Sequence, residues 1–216
     1  MLALNLPRNT TAPLKVLCLG SHSDDIEIGC GGTILRLLAQ APEMDIVWIV
    51  FGASKERERE ARNSAALFLN QAKRKEIIVK NFRDGFFPYE GTHIKNYFEE
   101  LKRISPDLIF THNRKDAHQD HRLIAELTWN TFRNHLILEY EIPKYDGDLG
   151  QPNLFVPLDR EFYDTKIRYV MDAFETQRAK PWFAKETFLG LMRLRGMECV
   201  APSGYAEAFY CRKLVL

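Results

Sequence analysis

Short apolar runs alternate with longer amphipathic stretches along the first two thirds of the chain. Residues 14–20, 45–51 ("DIVWIVF"), 76–80 and 107–111 ("DLIFT") read as strands. Between them, 32–41, 54–69 ("SKEREREARNSAALFL"), 92–104 and 119–133 read as helices. Ser54 offers an N-cap for the second helix, with acidic residues early in it. Apolar strands this short, separated by helices, predict βαβ units. The expected fold is a single three-layer, Rossmann-like α/β domain over residues 1–216 with a mainly parallel sheet. Residues 136–158 break the rhythm with Pro143, Gly147, Gly150, Pro152 and Pro157, and read as a long surface excursion. Helices are expected again near 160–174 and 183–193.

Composition narrows the classes. At 216 residues and 45% hydrophobic, the chain can bury a full core. Thirty Lys and Arg against 29 Asp and Glu leave a net charge of +1, which gives no electrostatic reason to expect nucleic acid or an anionic membrane face. No window reaches the roughly 18 consecutive apolar residues of a membrane span. Residues 1–16 lack the charged and apolar regions of a cleaved leader. Cys18, Cys30, Cys199 and Cys211 form no CxxC pair and read as small buried thiols, so a cytoplasmic setting is expected.

Polar clusters change the picture. "SHSDD" (21–25) follows the first strand and "THNRKDAHQDH" (111–121) follows the fourth. In a parallel sheet both reach the carboxyl edge, where ligands bind. Together they offer His22, Asp24, Asp25, His112, Asp116, His118, Asp120 and His121, including four of the six histidines in the chain. Imidazole with carboxylate suits Zn²⁺, and three protein ligands leave a fourth position for water. An Mg²⁺ site on the paired Asp residues is the competing reading, which the histidines disfavour. The glycines of "GCGGT" match a dinucleotide fingerprint only in part. A pyrophosphate there would lie beside two carboxylates, so they are expected instead to let the backbone pass close beneath a metal site and begin the helix.

Three motifs in order, "HSDDIEIGCGGT", "DAHQDH" and the C-terminal Arg195-Gly196 with Gly204 to Phe209 ("GYAEAF"), resemble the PIG-L (LmbE-like) deacetylase family. Ser23 stands where that family commonly has Pro, a position that ligates nothing. The resemblance implies an LmbE-like fold and a metal-dependent hydrolase that removes acetyl from an N-acetylglucosamine-type amino sugar, free or carrier-linked. It implies one Zn²⁺ per chain, with Fe²⁺ also compatible, held by His22, Asp25 and His121. Asp24 would be the general base. His118 would stabilise or protonate at the reacting centre in its protonated form, paired with Asp120. Arg57 and Glu60 resemble the family's R-x-x-E-A helix start, against an i, i+3 surface pair as the plain alternative. Arg57 and Asp84 would face the substrate. The expected partner is a small N-acetylated sugar or its conjugate, with homo-oligomerisation open. An amidase acting on a non-sugar amide and a non-catalytic metal- or sugar-binding module are the alternatives.

Overall fold

The computed structural model describes residues 12–215, so most of the stretch read for a leader lies outside the described residues. Strands β1 (Lys15–Gly20), β2 (Asp45–Val50), β3 (Arg74–Val79), β4 (Leu108–His112), β5 (Leu136–Tyr140), β6 (Leu154–Pro157) and β7 (Ala206–Cys211) form one sheet. Its order is β3-β2-β1-β4-β5-β7-β6. The first five strands pair in parallel, and β7 runs antiparallel to both β5 and β6. The helices are α1 (Asp25–Gln40), α2 (Lys55–Phe68), α3 (Gly91–Leu101), α4 (Gln119–Thr131), α5 (Arg160–Ala173) and α6 (Lys185–Glu198).

Strand side chains alternate between two cores. Val16 and Cys18 of β1 point toward a core shared with α1, α2, α5 and α6, while Leu17 and Leu19 point toward one closed by α3 and α4. A sheet buried on both faces explains why its central strands read as continuous apolar runs. Each fully buried large apolar side chain, such as Trp48 or Phe110, contributes about 1.5–3 kcal/mol relative to exposure. Among the described residues, no helix is long and apolar enough to cross a membrane.

Two expectations need correction. Residues 136–158 are a surface excursion only in part: β5 is buried beside β4, and β6 forms the sheet edge beyond β7. The irregular stretch is confined to residues 141–153 between them. The second correction concerns α1, which begins at Asp25 rather than Gly32, so the glycines lie within it. They permit close approach rather than a turn. A Cβ on Gly29 would stand 2.3 Å from the Tyr140 ring, and one on Gly31 would stand 2.5 Å from Phe68. The reading of a helix start at Gly32 nevertheless has a physical counterpart. In an uninterrupted helix the Gly32 amide pairs with the Ile28 carbonyl. Here Glu207 receives the N–H groups of Gly32 (2.8 Å) and Thr33 (2.6 Å), while Lys166, ion-paired with Glu207, donates to the Ile28 carbonyl at 2.6 Å.

Candidate active site

Four loops at the carboxyl edge of the parallel strands converge where β1 and β4 lie side by side and the strand order reverses, the switch point at which such sheets bind ligands. The β1–α1 loop brings His22, Asp24 and Asp25. The start of α2 brings Arg57, the loop after β3 brings Asp84, and the β4–α4 loop with the first turn of α4 brings Asp116, His118, Asp120 and His121. Ser54 caps α2 as expected, its Oγ accepting the Arg57 amide.

Three side chains face one another at the centre. His22 Nδ1 lies 3.2 Å from His121 Nε2 and 3.5 Å from Asp25 Oδ2, and His121 Nε2 lies 3.5 Å from Asp25 Oδ1. Ligands at about 2.0–2.1 Å around a tetrahedral ion stand ~3.3 Å apart, so the spacing suits a metal. The outer nitrogens agree. His121 Nδ1 is 3.0 Å from Asp116 Oδ2, and His22 Nε2 is 3.0 Å from Asp84 Oδ1 and 3.2 Å from Asp120 Oδ2. Each outer nitrogen faces carboxylate and can donate to it, which would leave the inner nitrogen a lone pair, the tautomer that ligation requires. The Asp25 carboxylate also accepts the His22 amide at 2.6 Å, which fixes its rotamer.

His112 and His118 belong to overlapping groups whose ligand atoms also lie within reach of one ion. The Ser21 amide donates to His112 Nε2 at 3.0 Å, the same nitrogen that faces Asp25 at 3.2 Å. That lone pair is engaged, so His112 is the poorer ligand. It stacks on His121 with centroids 3.9 Å apart and supports it from below.

Burial works against the Asp25 carboxylate, yet the surrounding imidazoles of His121, His112 and His22 outweigh it and hold it well below the usual range. Burial, reinforced by His112, lowers His121 to about 4, so its ring is neutral near pH 7. Burial raises Asp24 above the usual carboxylate value, and neighbouring Asp25 adds to this, while Arg57 opposes it by donating to Asp24 Oδ1 at 2.9 Å. The hydrogen bond to His22 lowers Asp84 to about 2.

The expected His118–Asp120 pair does not form. Positions i and i+2 at a helix start do not face each other. The Asp120 carboxylate instead accepts from the amides of Gly85 (2.6 Å) and Phe87 (3.1 Å) as well as from His22. It anchors the loop that carries Asp84. His118 caps α4, its Nδ1 accepting the Asp120 amide at 3.2 Å. Burial, together with the nearby His22, lowers its pKa rather than raising it, which corrects the expectation of an imidazolium. A neutral ring that accepts at Nδ1 carries its proton on Nε2 and can still donate. Arg57 and Glu60 are likewise not a surface pair. Arg57 joins Asp24 and Asp84, whereas buried Glu60 accepts from the backbone and hydroxyl of Thr176 and ties α2 to that turn.

Asp116 and Lys144 are the contributors whose roles the sequence did not reveal. Lys144 bridges Asp116 Oδ1 (3.1 Å) and Asp148 Oδ2 (2.6 Å), so a loop distant in sequence braces the residue that orients His121. Burial alone would raise Asp116, but the His121 hydrogen bond and the Lys144 charge hold it well below the usual range. A lowered carboxylate contributes stability above its unfolded pKa of about 3.9, and that contribution is lost as pH falls below it. Asp116→Asn should therefore cost the metal-free protein about 1.5–3 kcal/mol at pH 7. The gap to the parent should narrow by pH 3, as read from thermal melts at both pH values.

Comparison with known proteins adds a family and a fold. Residues 17–132 match the family PIG-L: GlcNAc-PI de-N-acetylase. The chain is 26% identical over 164 residues to the uncharacterized deacetylase YaiS of Escherichia coli (strain K12), spanning 70% of this chain and 86% of that one. Among solved structures, N,N'-diacetylchitobiose deacetylase from Pyrococcus horikoshii superposes with a TM-score of 0.71 at 21% identity, covering 90% of this chain and 82% of its own. GalB, the 4-carboxy-2-hydroxymuconate hydratase from Pseudomonas putida KT2440, reaches 0.73 at 14% identity, over 94% and 98%. Those last two likenesses bear on fold alone, and a shared fold does not fix the chemistry.

Proposed function

The chain belongs to the PIG-L (GlcNAc-PI de-N-acetylase) family, and from that premise we propose that it is a zinc-dependent hydrolase removing the acetyl group from an N-acetylated amino sugar, free or carrier-linked. The observation that carries the reading is the donor set. The inner nitrogens of His22 and His121 and the carboxylate of Asp25 converge, each imidazole is held from behind by carboxylate, and a further carboxylate, Asp24, lies next in sequence. Zinc bound there would supply Lewis-acid polarisation of the acetyl carbonyl and a water acidified to near neutrality.

The remaining work falls to side chains of this chain. Asp24 takes the proton of the attacking water and passes it to the amine nitrogen as the C–N bond breaks. Its burial raises its proton affinity for that task, while Arg57 holds it in position. His118 Nε2–H donates to the oxygen that gains charge as the carbonyl becomes tetrahedral. Asp120 acts indirectly, holding His22 and the Asp84 loop. Arg57 and the exposed Asp84 carboxylate present a donor and an acceptor to sugar hydroxyls. The four cysteines are free thiols, consistent with a reducing, cytoplasmic setting.

The test is acetate release from a panel of N-acetylhexosamines, their nucleotide, lipid and thiol conjugates, and simple non-sugar amides. Turnover of one or more sugars with no turnover of the simple amides supports the reading. Turnover confined to non-sugar amides would replace it with an amidase of the same mechanism.

A further inference from the structure

Away from the metal-ligand cluster, one open groove gathers charge of a single sign. It has a volume of about 450 Å³ and lies between the later turns of α4 and the segment that follows β7. Arg114, Arg133, Arg212 and Lys213 line it together with Glu126 and Trp129, and no residue of the candidate active site does. The volume is that of a small-molecule site, but four cations stand where such sites are mostly apolar.

The groove is braced from behind by one carboxylate. Glu139 of β5, wholly buried, accepts from Arg212 Nε (2.5 Å) and Nη2 (2.8 Å), from the Trp129 indole N–H (2.7 Å) and from the Arg114 amide (3.2 Å). It thereby fixes a guanidinium, an indole ring and the backbone of a third lining residue. Lys213 is held as well. Its ammonium donates to the Arg133 carbonyl at 3.2 Å and lies 5.4 Å from the centre of the Trp129 ring. Side chains already held lose little freedom when a ligand arrives.

Charge decides what fits. Glu139 neutralises Arg212, and Glu126 offsets one more of the four cations, so two positive charges remain. Among the described residues, Arg114, Arg133 and Lys213 form no ion pair. Like charges around one opening repel each other, and an anion relieves that repulsion. A carboxylate or sulfate ester brings one negative charge, whereas a phosphate monoester brings about 1.5 to 2 near pH 7. We infer that the groove is a binding site for a phosphate monoester, its oxygens held by Arg114, Arg133 and Lys213 and its organic group set against Trp129. The planar N–H pairs of guanidinium match phosphate oxygens two at a time. A nucleic-acid backbone would need a basic stripe running beyond one groove, which a balance of 30 cations and 29 anions over the chain argues against.

The probe is phenyl phosphate, titrated calorimetrically into zinc-loaded protein, with phenyl sulfate as the ester of the same shape and lower charge. Binding needs no turnover, so the outcome does not depend on the proposed deacetylase reading. Arg133→Gln and Lys213→Gln should each weaken phenyl phosphate about tenfold, the loss of one charge-assisted hydrogen bond, and the double variant about a hundredfold. Phenyl sulfate should bind the parent about tenfold more weakly than phenyl phosphate. Zinc itself attracts phosphate, so the titration is repeated on His121→Ala, where the affinity should persist. Sedimentation with phosphatidylcholine vesicles, with and without phosphatidate, separates two sources of the same group. Sedimentation only with phosphatidate supports the site with a lipid headgroup as its ligand, and phenyl phosphate binding without sedimentation supports it with a soluble ester. A parent that binds no phenyl phosphate, a double variant of unchanged affinity, equal affinity for the sulfate ester, or binding lost in His121→Ala would each overturn the site.

Discussion

His121→Ala should abolish zinc binding and acetate release together. The substitution removes one of three converging donors and leaves two ligands, His22 and Asp25, too few to hold an ion against water. It does not strand a charge, because Asp116 keeps the Lys144 ammonium at 3.1 Å when the imidazole is gone. The variant should therefore fold, with zinc per chain falling from one to near zero by elemental analysis and turnover falling to background. Stoichiometric zinc in purified His121→Ala would show that the ion is held elsewhere, with the group of His22, Asp84, His118 and Asp120 as the place to look next.

Asp24→Asn separates ligation from proton transfer. The amide oxygen of Asn can still accept from Arg57, whose Nη2 lies 2.9 Å from Asp24 Oδ1, so the local packing survives. No atom of Asp24 belongs to the converging donor set. The expected result is full zinc content with turnover lower by about 10²–10⁴-fold, the usual contribution of a general base. Loss of zinc with recovery of normal turnover on adding metal back would mean that the roles of Asp24 and Asp25 are reversed.

The parallel half of the fold was legible because β1, β2 and β4 are buried on both faces, so their central positions are apolar and no long-range partner is needed to explain them. The antiparallel half was not. In "LILEYEIP" the apolar pattern is interrupted by Glu139 and Glu141, which are buried only because Arg212 and Arg195 neutralise them from far downstream. Nothing local announces such partners, and the prolines and glycines that follow completed the misreading. The site was legible as two clusters at one edge, since strand order alone brings their loops together. Side-chain direction was not: His118 and Asp120 are close in sequence but turned apart by the helix, and Asp84 and Arg57 meet the cluster only through tertiary packing.

The most direct measurement is a reconstitution titration. Protein stripped with chelator is given zinc in sub-stoichiometric steps, and bound metal and acetate release from an N-acetylated amino sugar are read from the same samples. The expected result is no release from the stripped protein and a linear rise that ends at one zinc per chain. Full activity in the stripped protein, or one bound zinc per chain with no acetate released from any N-acetylated sugar, would contradict a metal-dependent amino-sugar deacetylase.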